Sequence, residues 1–120
     1  MKLHASGEDY LEAILVLHKR IDMVRSVDVA RHKEVSKPIV CQAVGNFREG
    51  GFLTMDEEHY LHLTDIGREV AVKIYERHCF FMEQLIAAGV DPKIAEADAC
   101  RLEHVISSES FERLKETADQ

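Results

Sequence analysis

Apolar residues recur at helical spacing along most of the chain. Tyr10, Leu11, Ile14, Leu15 and Leu17 form a stripe that predicts a helix over residues 6–21. Ser6 is its expected cap, with Glu8 and Asp9 near its positive end. Residues 26–31 read as a short second helix with Val27, Val29 and Ala30 packing, and residues 32–35 as a turn. Val40, Ala43, Val44 and Phe47 mark the inward face of a third helix over residues 37–49. Ser36 stands at its cap, Pro38 in its first turn, and Gly50-Gly51 at its end.

The period then changes. Residues 52–55 and 60–63 read as two strands joined by a hairpin connection at 56–59. Thr64 caps a long helix over residues 65–88, with Ile66, Val70, Ile74, Phe81 and Leu85 on one stripe and Ala71, Tyr75 and Met82 on its neighbour. Asp91-Pro92 opens a fifth helix that runs to residue 106. Ser107 or Ser108 caps a last one over residues 109–117, with Phe111 and Leu114 packing back. Phe80 and Phe81 are about 100° apart on the long helix, so one packing surface would not easily take both. Together with Tyr75 and Leu85 they are the expected contacts of a homodimer. The expected fold is mainly α: a winged helix-turn-helix with a small β-hairpin wing, followed by a helical dimerisation domain. The expected division is 1–63 for DNA binding and 64–120 for metal binding and dimerisation.

Charge sharpens the first half. The 120-residue chain has a net charge of −7. Residues 17–50 nevertheless hold seven Lys/Arg against four acids, which leaves the remainder at −10. A basic block over a helix-turn-helix points to duplex DNA. The third helix would enter the major groove with Gln42 as the first candidate for base contact and Asn46 as the second. Lys37, Arg48, Arg25 and Arg31 would contact phosphates. Ser36 and Pro38, at the helix start, complete the DNA-facing set. No apolar run reaches membrane-spanning length and no signal-peptide core follows Met1, so the cytoplasm is the expected location. Three widely separated cysteines, Cys41, Cys79 and Cys100, argue for reduced thiols.

The second half carries the candidate chemistry. Cys100, Glu103 and His104 fall at i, i+3 and i+4, so a helix puts a thiol, a carboxylate and an imidazole on one face. Three such donors can grip a divalent cation, but the stretch supplies no fourth. Asp9 and Glu12 share a face of the first helix, and His78 lies on the long one. Taken singly, these three suit solvated or capping groups as well as ligands. The whole set suits Mn(II), Fe(II), Co(II) or Zn(II) and not a structural zinc site rich in cysteine. The stretch also resembles the H-x-x-E-H of inverted zinc peptidases, with Cys100 in place of the first histidine. That replacement is unfavourable, and no enzymatic activity is expected.

In this order and spacing, several short stretches together resemble one family. They are Glu8-Asp9-Tyr10-Leu11-Glu12, Val35-Ser36-Lys37-Pro38, Glu49-Gly50-Gly51-Phe52-Leu53, Leu63-Thr64-Asp65-Ile66-Gly67, Arg77-His78 and Ala99-Cys100-Arg101-Leu102-Glu103-His104-Val105. The chain resembles the metal-dependent repressors typified by the diphtheria toxin repressor and the manganese transport regulator. The resemblance implies a homodimeric transcriptional repressor of metal-homeostasis genes, bound to a palindromic operator and activated by Fe(II) or Mn(II), with Zn(II) or Co(II) as substitutes in vitro. It implies the short form, without the C-terminal barrel domain of larger members. It carries Asp9, Glu12, His78, Glu103 and His104 over as the ligands of the manganese-type members, and Cys100 as that of the iron-type members. The chain departs from the family at Met82, where the iron-type ancillary site needs a carboxylate. It departs again at Ile39 and Cys41, where small hydroxyl residues commonly contact phosphate, at Gly45, and at Asn46, where Arg or Lys is frequent. The alternative is a winged-helix DNA-binding protein that metal does not regulate.

Overall fold

A computed structural model describes residues 3–119; Met1, Lys2 and Gln120, at the outer ends of the two expected domains, lie outside the described residues. Its elements are α1 (Ala5–Ile21), α2 (Ser26–Lys33), α3 (Lys37–Glu49), β1 (Leu53–Met55), β2 (Leu61–Leu63), α4 (Asp65–Ala87), α5 (Pro92–Val105) and α6 (Ser108–Ala118). Three helices followed by a two-stranded hairpin make the winged helix-turn-helix. The chain divides into two compact units, Met1–Val72 and Lys73–Gln120, with the division within α4. No helix among the described residues is long and apolar enough to cross a membrane.

The first unit is built on the apolar stripes of its helices. Leu11, Ile14, Val24, Val29, Val40, Val44 and Phe47 are buried, and Leu53 and Leu61 join them from the hairpin. The strands pair antiparallel with Leu53 opposite Leu63 and Met55 opposite Leu61. Leu53 and Leu61 point inward while Thr54 and His62 stay exposed, which is the alternation a one-sided sheet requires. The Leu61 amide donates to the Val24 carbonyl at 2.7 Å, tying the wing to the segment before α2.

Several local expectations need correction. The N-cap of α1 is His4, not Ser6, and only Glu8 is acidic in the first turn. Helix α2 runs two residues further than expected, to Lys33, because Glu34 takes a left-handed conformation (φ 58°) and closes it there. Val27 is exposed, as is Leu114, so neither packs as expected. Ser36 does stand at the N-cap of α3, but its side chain makes no capping bond.

Two positions fix the path from wing to α4. Thr64 accepts the Gly67 amide at 3.1 Å and donates to the Gly51 carbonyl at 2.6 Å, capping α4 and holding its start to the end of α3. A Cβ on Gly67 would collide with the Phe52 carbonyl oxygen, which is backbone and cannot turn aside. Gly67→Ala is therefore expected to destabilise the first unit by about 1–3 kcal/mol, read in urea unfolding.

Asp56 organises the hairpin turn. Its Oδ1 accepts the amides of Glu58 (3.0 Å) and Tyr60 (2.9 Å), and its Oδ2 lies 2.9 Å from His62 Nε2. The His62 bond first, and the Tyr60 amide second, hold its carboxyl below the usual value of 3.8. A depressed carboxyl stabilises the fold fully above its unfolded pKa and loses that contribution as pH falls through the lower folded value. Asp56→Asn should lower the neutral limb of a melting-temperature profile and flatten the acid limb, so that variant and wild type converge at low pH.

The second unit has its own core. Phe81, Ala99 and Phe111 are buried, with Phe80, Met82 and Ile106 packed against them. Asp91 caps α5 by accepting the Lys93 amide, and Ser107 caps α6 by accepting the Ser110 amide, each at 3.1 Å. The expectation that one surface would not take both Phe80 and Phe81 fails. Phe111 of α6 meets both, with ring centroids 5.3 Å from Phe80 and 6.2 Å from Phe81. A ring projected from a third helix bridges the 100° between neighbours, and Phe80 and Phe81 also meet edge to face at 5.4 Å.

Candidate functional site

In the second unit the expected ligands of α4 and α5 come together. A ligand atom from each of His78, Cys100 and Glu103 lies within 4.8 Å of the others. Glu103 is wholly buried, and its Oε2 is 3.0 Å from His78 Nδ1. Its Oε1 lies 3.3 Å from His104 Nε2 without the geometry of a hydrogen bond, and has no hydrogen-bond partner. Cys100 Sγ is 4.0 Å from His78 Nδ1.

A buried carboxylate is costly unless charge and hydrogen bonds compensate it. Here one oxygen is left without a hydrogen bond among imidazoles and a thiol. Those donors fit a divalent transition metal: imidazole and carboxylate suit Mn(II) and Fe(II), and the thiolate favours the softer ions. Asp9 and Glu12 sit three residues apart on α1 in the first unit, both half-buried.

Two residues that were not among the expected site residues belong to this arrangement. Glu96 precedes Cys100 by one helical turn, and its Oε2 lies 3.2 Å from His78 Nε2. The same i, i+4 spacing that grouped Cys100 with His104 would have found it. Arg77 is 5% exposed and reaches across to α5. Its Nη1 donates to the carbonyls of Glu103 (3.1 Å) and Ile106 (2.8 Å), and its Nη2 to Ser108 Oγ (3.2 Å). It thereby satisfies carbonyls at the C-terminus of α5 that the helix itself leaves open. The sequence marked it only within the Arg77-His78 stretch and not as a cap, because its partners are mostly backbone.

In the first unit, α3 exposes Lys37, Pro38, Ile39, Cys41, Gln42, Gly45, Asn46 and Arg48, with Ser36 exposed at its cap. This face lies opposite the buried Val40, Val44 and Phe47, as a groove-reading helix requires. Arg25 stacks on the Tyr60 ring at 4.4 Å and donates from Nε to the Glu58 carbonyl at 3.1 Å. It is thus held against the wing. Arg31 is exposed, with Asp28 3.9 Å away. Of the expected dimer contacts, Phe81 is buried in the core of its own unit, whereas Tyr75, Phe80 and Leu85 are half-buried.

Comparison with known proteins identifies the family. Residues 64–120 match the family described as iron dependent repressor, metal binding and dimerisation domain. The chain is 33% identical over 105 residues to the transcriptional regulator MntR of Salmonella typhimurium, covering 88% of this chain and 67% of that protein. It is 31% identical over 114 residues to the diphtheria toxin repressor of Corynebacterium glutamicum, covering 93% of this chain and 50% of that one. Among solved structures it is similar to the manganese regulator SloR, with a TM-score of 0.83 and 25% identity over 94% of this chain and 53% of SloR. The chain thus spans about half the length of the solved repressor it matches. Fold, ligand chemistry and likeness agree: the chain belongs to the family of metal-dependent transcriptional repressors that includes MntR and the diphtheria toxin repressor.

Proposed function

We propose that this chain is a DNA-binding repressor of metal-homeostasis genes, activated by Fe(II) or Mn(II) and acting by binding, not catalysis. The observation that carries the reading is the buried Glu103 carboxylate, flanked by His78, His104 and Cys100, with one oxygen that lacks a hydrogen bond. His78, Cys100, Glu103 and His104 are the proposed ligands from the second unit. Asp9 and Glu12 of α1 are proposed as further ligands on the family resemblance alone. Cys100 favours Fe(II), whereas Asp9 and Glu12 favour Mn(II); Zn(II) and Co(II) would serve in vitro.

Gln42 and Asn46 are the proposed base contacts. Ser36, Lys37, Pro38 and Arg48 of α3, with Arg25 and Arg31, set the register on the backbone. A homodimer on a palindromic operator in the cytoplasm is the proposed working form. Helix α5 supports dimerisation by exposing Ile94, Leu102 and Val105 on a side next to its buried Ala95, Ala99 and Glu103. With Tyr75, Phe80 and Leu85 of α4, these are the proposed dimer contacts.

The test is selection of duplex DNA from a random pool, followed by gel shifts with Mn(II), with Fe(II) under anaerobic conditions, and with EDTA. Retardation that needs metal supports the reading. Equal retardation in EDTA overturns metal activation and leaves a constitutive winged-helix DNA binder. Lys37→Ala should weaken binding to all sequences alike and reduce the salt slope by about one.

A further inference from the structure

We propose that Glu96 is a positioning residue that fixes which ring nitrogen His78 presents to the ion. This rests on the reading of the His78, Cys100 and Glu103 cluster as a metal site.

The His78 ring has a carboxylate at each edge. Its Nδ1 is 3.0 Å from Glu103 Oε2 and 4.0 Å from Cys100 Sγ, so Nδ1 is the edge turned toward the other donors. Its Nε2 is 3.2 Å from Glu96 Oε2. A neutral imidazole has one N–H and one lone pair, so only one nitrogen can bind a cation. A carboxylate that accepts the Nε2–H leaves the lone pair on Nδ1 and sets the plane of the ring.

Burial separates the two carboxylates. The Glu103 side chain is wholly enclosed, while that of Glu96 is 54% exposed. Glu103 therefore belongs among the ligands and Glu96 outside them. The second oxygen of Glu96 accepts from the Cys100 thiol at 3.5 Å, a bond that is lost when the thiol ionises to bind an ion, so the role of Glu96 rests on His78. Helix α5 makes this possible because residues 96, 100 and 103 share a face.

Zinc-loaded protein labelled with 15N at histidine tests the assignment in long-range 1H–15N spectra. In the wild type His78 should carry its proton on Nε2 and bind zinc through Nδ1. Glu96→Ala should weaken zinc binding about 10–100-fold in a competition titration. Glu96→Gln, whose carboxamide oxygen still accepts from Nε2–H, should keep most of the affinity. Zinc bound at Nε2 in the wild type, or wild-type affinity in Glu96→Ala, overturns the role of Glu96 while the metal site stands. A wild-type protein that binds no zinc overturns both readings.

Discussion

Glu103→Gln should abolish the metal response while leaving the apo fold intact. The substitution keeps the shape of a wholly buried side chain and removes its charge. Saturating metal should stabilise the wild type: at one hundred times the dissociation constant the gain is about 2.7 kcal/mol. The carboxamide can still hydrogen-bond His78 Nδ1, 3.0 Å away, by donating its N–H to the ring lone pair, so the packing between α4 and α5 survives. It cannot supply the negative charge that a divalent cation needs between two imidazoles and a thiol. Metal affinity should fall by more than about 100-fold, beyond the loss typical of an outer-sphere partner. Thermal melts with and without Mn(II) read this directly. A Glu103→Gln protein with the wild-type metal-induced shift would show that the ion binds elsewhere.

Arg77→Ala should produce the largest loss of stability of any single substitution in the second unit. The guanidinium donates to Glu103 O, Ile106 O and Ser108 Oγ, and it lies 5.5 Å from the centroid of the Phe111 ring. It binds the end of α5 to the start of α6 and places positive charge at a helix C-terminus, where the dipole favours it. Its removal leaves two sheltered carbonyls without a donor. Each such group costs about 1–3 kcal/mol, so a loss of roughly 3–5 kcal/mol is expected. The melting temperature should fall by roughly 10 °C or more. Arg77→Lys should recover little, because an ammonium cannot span three acceptors in one plane. Melting within about 2 °C of the wild type in Arg77→Ala would contradict this role.

The contrast between these two residues shows what the sequence could reveal. Glu103 was legible because its partners Cys100 and His104 lie within one helical turn, where spacing alone defines a shared face. The helices and wing were legible for a similar reason: Val40, Val44 and Phe47 repeat at a helical period, and Leu53 and Leu61 alternate with polar neighbours. Arg77 was not legible as a cap, since two of its three acceptors are backbone carbonyls of a helix twenty-six or more residues away. Phe80 and Phe81 misled because helical angle says nothing of a third ring; Phe111 of α6 meets both. Ser6 misled because a residue type that suits a cap does not by itself set a helix start: α1 begins at Ala5, with His4 at the N-cap and no side-chain capping bond. Glu96 was within reach of the spacing argument, but its role depends on His78, which only the packing of α4 on α5 brings beside it.

Metal activation of DNA binding makes a reciprocal demand. If the ion raises affinity for the operator, the operator must raise affinity for the ion by the same factor. Calorimetric titration of Mn(II) into the protein, alone and saturated with a selected operator duplex, measures this directly. Tighter metal binding on DNA, by a factor of about 5–150 and equal to the effect of metal on DNA affinity, is the expected result. Identical metal affinity with and without DNA would show that the metal centre does not control the DNA-binding unit.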